Sequence, residues 1–220
     1  MGRMTTATTA LPLLGLRITA GPLELRGITD DLLGPLADLA VEGIHAPDAM
    51  PFSTPWTLAP AGELPRNSAQ FYWGRRAAFS VAAWAADLAV FWDGELAGMQ
   101  GMEARDYLVT RTAETGSWVG RRFQGRGIGT AMRRVVCAFA FDHLDAEFMT
   151  SAAFTDNPAS LAVSKKVGYT ESGWQRMARL GKPATQRRLV LTADSLVRYE
   201  HELTIEGLPA FRQSIGLAST

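Results

Sequence analysis

Trp118-Val119-Gly120-Arg121-Arg122-Phe123-Gln124-Gly125-Arg126-Gly127-Ile128-Gly129-Thr130 carries a strand pattern into a helix pattern. Before it, Gly116 to Gly120 reads as strand. After it, Ile128, Ala131, Met132, Val135, Val136 and Phe139 recur at i, i+3, i+4, i+7, i+8 and i+11, an amphipathic helix of about four turns. Such a helix start has unpaired N–H groups and a partial positive charge, which attract phosphate. Glycines let the backbone approach the anion without Cβ clashes. Arg121, Arg122 and Arg126 add formal charge, so the segment suits a pyrophosphate better than a plain turn with solvated arginines.

Working outward, Leu16-Arg17-Ile18 and Leu23-Glu24-Leu25-Arg26 alternate around Gly21-Pro22 and read as a hairpin. Thr29-Asp30-Asp31 opens a helix with Leu32, Leu36, Leu39 and Ala40 on one face, running to Gly43. His45 to Pro65 holds five prolines and reads as a long irregular loop, the kind that serves as a lid or binding segment. A helix is predicted over Ser68 to Ala83. Leu88–Trp92 and Leu96–Gly101 flank the hairpin signal Asp93-Gly94. Further strands are expected at Tyr107–Thr110, Phe148–Phe154, Tyr169–Leu180 and Arg187–Leu191, and a short helix over Pro158–Val167 ended by Gly168. Antiparallel strands followed by strand–helix–strand–helix–strand give an α+β fold around one mixed sheet with a parallel portion.

The 220 residues suit one domain, with apolar residues at 47% and charged residues at 20%. Twenty-two basic residues balance 22 acidic ones, so charge argues for neither nucleic acid nor an anionic membrane. No apolar run is long enough to span a bilayer. Met1, Gly2 and Thr6 match the myristoylation pattern, which is short enough to arise by chance. One cysteine, Cys137, excludes an intrachain disulfide and suits a cytoplasmic, reducing setting. Three scattered histidines and that cysteine make no metal site.

Among phosphate ligands, a P-loop would need Gly-Lys-Ser/Thr, and no such lysine follows. A dinucleotide fingerprint would need a third glycine where this sequence has none, although Asp145, 20 residues beyond Gly125, superficially suits a ribose-binding acid. A nucleotide-dependent oxidoreductase therefore ranks behind the readings below.

Gln124-x-x-Gly127-x-Gly129 resembles the Gln/Arg-x-x-Gly-x-Gly/Ala signature of the GNAT (GCN5-related) N-acetyltransferases. The wider chain resembles their ribosomal-protein, RimJ/RimL-like branch. Ile18-Thr19-x-Gly21-Pro22-Leu23-x-Leu25-Arg26 is similar to its opening strand, Glu114-Thr115-Gly116-Ser117-Trp118-Val119 to its signature-bearing strand, and Asn157-x-x-Ser160 with Val167-Gly168-Tyr169 to its closing segment. The resemblance spans roughly residues 16 to 192. It implies a single GNAT-type domain at 16–195 between an N-terminal extension, 1–15, and a tail, 196–220, with strand-like stretches that could meet a second copy. It implies two parallel strands splayed near Trp118 and Ala152, with acetyl-CoA or another acyl-CoA in the splay. Backbone groups of Gln124, Gly125, Arg126, Gly127, Gly129 and Thr130 would hold the pyrophosphate. Trp118 and Val119 would pair with the pantetheine arm, Asn157 and Ser160 would line it, and Arg121 or Arg122 could reach the ribose phosphate.

Acyl transfer to an amine needs a base for the amine proton and an acid for the leaving thiolate. The family's hydroxyl donor, seven residues after the asparagine, falls on Ser164 where many relatives carry tyrosine. Glu114 is the chosen base, ahead of Asp106, His45 and Asp48. Each has a blander reading: Ser164 as a polar helix residue, Glu114 as a strand carboxylate, His45 as a structural side chain. Asp156-Asn157-Pro158 is also a good helix start with Asn157 as its cap. Cys137 reads as packing. Met50-Pro51-Phe52-Ser53-Thr54-Pro55-Trp56 and Phe71-Tyr72-Trp73 could wall an acceptor site or simply fill core. The function implied is acyl-CoA-dependent N-acylation of a primary amine by direct attack in a ternary complex. The acceptor could be a protein N-terminus, a lysine or a small molecule, and the enzyme a homodimer. An acyl-CoA-binding sensor without turnover is the alternative.

Overall fold

The computed structural model describes residues 6–218; Met1 and Gly2 of the acylation pattern lie outside them. A single turn, α1 (Ala7–Ala10), precedes the hairpin of β1 (Arg17–Ala20) and β2 (Leu23–Gly27). In α2 (Asp30–Glu42), Asp30 and Asp31 occupy the first turn, where the helix dipole favours carboxylates, and Leu32, Leu33, Leu36 and Leu39 are buried. The proline-rich stretch is irregular apart from one 3-10 turn at Trp56–Leu58. The next helix, α3, spans Leu64–Ala77 rather than Ser68–Ala83. Its end at Ala78 frees Ala83 to start a strand, and Leu64-Pro65 provides the proline-first start that helices favour.

The hairpin of β3 (Ala83–Trp92) and β4 (Glu95–Arg105) turns at Asp93-Gly94, both at positive φ. Tyr107–Thr110, expected as strand, is instead the single turn α4. Asp106 and Arg111 adopt left-handed conformations on either side of it. Tertiary contacts override the local β preference of these residues. The buried Tyr107 ring sits edge-on to Trp84, and its hydroxyl donates to the carbonyl of Leu144 at 3.0 Å.

The chain continues through β5 (Thr112–Val119), α5 (Ile128–His143), β6 (Phe148–Phe154) and α6 (Pro158–Val167). The hairpin of β7 (Thr170–Arg179) and β8 (Lys182–Leu191) turns at Leu180-Gly181. The tail forms β9 (Thr204–Glu206), which pairs with β1 of the same chain, and α7 (Leu208–Ser214). In α7 the fully buried Phe211 packs against Trp84 and Phe139.

All nine strands form one mixed sheet, ordered β7-β8-β6-β5-β4-β3-β2-β1-β9. Among the described residues only β5 and β6 run parallel, and only Thr112, Ala113 and Glu114 pair with Phe148, Met149 and Thr150. The helices divide between the two faces. On one, Arg75 of α3 reaches Asp87 and Glu103; on the other, Arg133 of α5 reaches Ser117. No helix among the described residues is long and apolar enough to cross a membrane.

Candidate active site

The turn between β5 and α5 is built to leave donors unused. Gly125 and Gly127 take φ of +77° and +84°, and a Cβ on either would meet nothing within 4 Å. The turn therefore needs glycine for its conformation, and it opens onto free space. No side chain caps α5, and no acidic residue lies in its first turn. The backbone N–H groups of Gly125, Arg126, Gly127, Ile128 and Gly129 find no acceptor among the described residues. Successive free N–H groups through left-handed positions form an anion-binding concavity at the positive end of a helix.

Two of the expected donors are engaged within the turn. The N–H of Gln124 donates to Arg121 O at 3.2 Å and that of Thr130 to Gly127 O at 3.0 Å. The Gln124 side chain clamps the turn, its amide donating to Ile44 O at 2.6 Å and Val119 O at 2.8 Å. A Cβ on Gly129 would make only ordinary contact, 3.7 Å, with Val163 of α6. Arg122 is ion-paired with Glu42 and lies over the Phe123 ring, which Arg126 also approaches. Arg121 and Arg126 have no carboxylate partner among the described residues; Arg126 lies within the turn, and the Arg121 side chain runs past Gly43 at the end of α2.

Next to this turn the sheet parts. Past Glu114 and Thr150 the two strands bond only through side chains: Thr115 Oγ1 donates to Thr150 O at 3.2 Å, and Ser151 Oγ to Thr115 O at 3.3 Å. Beyond that, Gly116–Val119 pair only with β4, and Ala152–Phe154 only with β8. Trp118, Val119 and Ala152 thus border a gap between parallel strands. Asn157 stands at the gap's end of β6 and caps α6, accepting from the Ser160 N–H at 3.1 Å. That satisfies its oxygen, leaves its amide N–H groups free, and uses the backbone of Ser160.

The hydroxyl of Ser164 is buried, and its oxygen accepts from Arg133 at 3.1 Å. Arg133, which the sequence reading did not single out, also donates to Ser117 Oγ at 2.9 Å and is itself 5% exposed. The periodicity of α5 gave no signal for it, although once seen a buried arginine needs a reason. Nearby, the Tyr169 hydroxyl lies 3.1 Å from Thr115 Oγ1 and 3.4 Å from Cys137 Sγ. Burial, above all, pushes the Cys137 thiol up to about 11, which keeps it protonated at neutral pH.

On the α3 face, a cavity of about 370 Å³ abuts the same stretch of β5. Phe52, Trp56, Phe71, Tyr72 and Trp118 form its aromatic wall, with Phe52 tilted against Trp56 at 5.3 Å and Trp56 against Trp118 at 6.0 Å between ring centres. Met50 is buried beside them in the sequence, whereas Trp73 turns away to bond Asp30. The lining includes Thr115 and Ser117 of the same strand, whose side chains point to the α5 face.

Glu114 lines this cavity. It touches the cavity's open space, yet the surrounding walls desolvate it enough to raise its pKa, with Glu103 directly across the strand pair adding to the rise and Arg188 opposing it. Asp87 is buried, and burial lifts its pKa while Arg75 pulls the other way. Burial works against the charge of Arg75, but Asp87 and Glu103 more than offset it and hold the guanidinium ionised. The other base candidates lie elsewhere. Asp106 holds a left-handed turn before α4, and Asp48 lies on the exposed loop. Both ring nitrogens of His45 are engaged at 2.8 Å, Nδ1 with Ala46 O and Nε2 with the Thr57 hydroxyl, so the ring ties the proline-rich loop together.

The model of the acetyltransferase (GNAT) domain family matches residues 23–170. YdaF of Bacillus subtilis (strain 168), which carries the provisional name of a ribosomal N-acetyltransferase, is 36% identical over 87 residues. That alignment covers 40% of this chain, and the chain spans about half, 47%, of that relative. The fold is shared with RimL, a ribosomal L7/L12 alpha-N-protein acetyltransferase solved with coenzyme A: TM-score 0.63, 19% identity, covering 79% of this chain and 96% of that one. It is shared likewise with Mycobacterium smegmatis RimJ, solved with a CoA-disulfide: TM-score 0.63, 19% identity, covering 84% and 88%.

Proposed function

The chain belongs to the GNAT acetyltransferase family, and on that premise we propose that it transfers the acyl group of acetyl-CoA, or of a longer acyl-CoA, to a primary amine held in the aromatic cavity. The observation that carries this reading is the run of free N–H groups from Gly125 to Gly129 beside the open strand gap. A CoA diphosphate fits that concavity, with Arg126 and Arg121 as counter-charges. The pantetheine arm suits the gap bordered by Trp118, Val119 and the free amide of Asn157. The thioester then lies where the gap meets the cavity.

Within a ternary complex, the amine nitrogen attacks the thioester carbonyl directly. Glu114 takes the amine proton, and its raised pKa brings it closer to the strength a base needs near neutral pH. Ser164 serves the departing sulfur. The relatives named for ribosomal proteins support a protein N-terminus as acceptor, while the cavity's carboxylates would suit a lysine or a small amine as well. We extend the reading to a homodimer on the habit of the family, to be tested by sedimentation, and to a cytoplasmic setting on the single cysteine, to be tested by fractionation.

Titration calorimetry with CoA and acetyl-CoA tests the donor, and thiol release with a panel of amines tests the transfer. Gly127→Val, which blocks the concavity and strains its left-handed residue, is expected to weaken CoA binding about 100-fold or more, a loss of about 2.8 kcal/mol. Wild-type protein that binds no CoA thioester would sink the reading. One observation favours an acyl-CoA-binding module instead: Ser164 is buried where a stronger acid would be expected. Such a module would bind CoA thioesters and release no thiol with any amine.

A further inference from the structure

Arg133 is a buried cation with no anion. It is 5% exposed, and its guanidinium meets only hydroxyl oxygens, Ser164 Oγ at 3.1 Å and Ser117 Oγ at 2.9 Å. Its Nε–H is buried and has no partner. Among the described residues no carboxylate pairs with it. The titratable groups around it are Cys137, on the next turn of its own helix, and Tyr169 beyond α6, and burial raises the pKa of both so that they stay neutral. Thr115, Ser117 and Ser164 complete the polar surroundings. An uncompensated buried charge costs several kcal/mol, and a fold that gains nothing from it would be more stable with an apolar residue. The other fully buried arginine, Arg212, holds Asp145, and the half-buried Arg75 holds Asp87 and Glu103; the half-buried Arg111 and Arg134 also lack a carboxylate among the described residues, but neither is as deeply enclosed as Arg133.

The missing negative charge has an obvious source if the acyltransferase reading above holds, on which this inference rests. Ser117 borders the strand gap three residues past the last β5–β6 pair, and it also lines the acceptor cavity. We propose that Arg133 is a catalytic residue that carries the negative charge developing on the CoA sulfur, in concert with Ser164, whose hydroxyl it polarises. The amine lone pair forms the C–N bond, and the C–S bond breaks with its electron pair remaining on sulfur. The amine proton leaves through Glu114 to solvent, and CoA departs as a thiolate paired with the guanidinium. Serine is a poor acid by itself. An arginine donating into its oxygen strengthens its O–H as a donor and supplies the charge that a tyrosine's acidity would otherwise have to match.

The test compares CoA with desulfo-CoA across pH, by calorimetry and by the ultraviolet thiolate band of bound CoA. An adjacent cation lowers an acid's pKa by about 1–3 units. Wild-type protein should therefore bind CoA more tightly, relative to desulfo-CoA, as pH rises toward the ordinary thiol value of about 8.5, by about tenfold or more. It should also show bound thiolate at neutral pH. Arg133→Met should abolish both signals, Arg133→Lys should keep part of each, and kcat should fall about 10²–10³-fold in Arg133→Met. The free Arg133→Met protein should melt higher than wild type, by about 2–4 °C, because the unpaired charge is gone.

A structural arginine would behave oppositely. An Arg133→Met chain that melts lower or fails to fold, or Arg133 variants that keep the wild-type pH profile and turnover, would overturn the proposal while leaving the acyltransferase reading intact. Ser164→Ala gives a second arm, since it should lower kcat yet keep the thiolate band. Wild-type protein that binds neither CoA nor desulfo-CoA would overturn both inferences together.

Discussion

Two arginines flank β5 from opposite faces of the sheet, and they are treated in opposite ways. Arg75 of α3 is matched: its Nε–H donates to Asp87 at 2.7 Å and its Nη1–H to Glu103 at 2.8 Å. Arg133 of α5 meets only serines. The first arrangement is complete without a ligand and serves to hold α3 over the cavity. The second is incomplete, and its missing charge is one that thioester cleavage would generate. A buried ion is informative about function only when its partner is absent from the fold.

That contrast can be broken in several ways. The largest effect should come from Glu114→Gln, which leaves both arginines untouched. It is expected to lower kcat/KM about 10²–10⁴-fold with CoA affinity unchanged, as removal of a general base does. In the wild type, the acid limb of the rate profile should sit above the ordinary carboxylate range, because desolvation by the cavity walls and the facing Glu103 raise the pKa of Glu114. The sign for stability follows. Glu114 holds its proton more tightly folded than unfolded, so its contribution is full below about pH 4 and is lost as pH rises through the folded value. Glu114→Gln should therefore unfold at slightly higher denaturant at neutral pH even as it loses turnover.

Arg75→Met comes next. It strands the buried Asp87 and should cost about 2–3 kcal/mol in denaturant unfolding, less than a fully buried pair would because the Arg75 side chain is 25% exposed. The opposite sign for Arg133→Met would sharpen the comparison most directly. The smallest effect belongs to Glu42→Gln, which releases Arg122 from an exposed pair. Stability should change by no more than about 1 kcal/mol. A measurable gain in CoA affinity at low salt would bring Arg122 into the phosphate site.

The sheet, the turn and α5 were legible because each rests on local signals: alternation, Asp93-Gly94, glycines before a helical period. The bounds of β6 and α6 match the sequence reading for the same reason, with Asn157-Pro158 marking a helix start and Gly168 its end. Tyr107–Thr110 misled because its strand-forming residues answer to Trp84 and Leu144, which are distant in sequence. At the candidate site, Glu114 and the glycines were named from their position within a motif, and the structure places them at the cavity and at the start of α5. Arg133 could not be named so, since a helix face that is apolar at every other inward position gives no warning that one arginine also points inward. Nor could the sequence reveal that the N–H groups of Gln124 and Thr130 are consumed inside the turn, which is a matter of hydrogen-bond closure.

The parting of β5 from β6 has a mechanical consequence. Three backbone-paired positions and a few side-chain bonds are all that join β5 to β6, and so a raft of three strands to a raft of six. Past that seam, amides on both banks should exchange with solvent as though each lay at a sheet's outer margin. A substrate arm that carries amides of its own can supply the missing rungs, so occupancy should register as slowed exchange along Gly116–Val119 and a stiffening of the two rafts against each other.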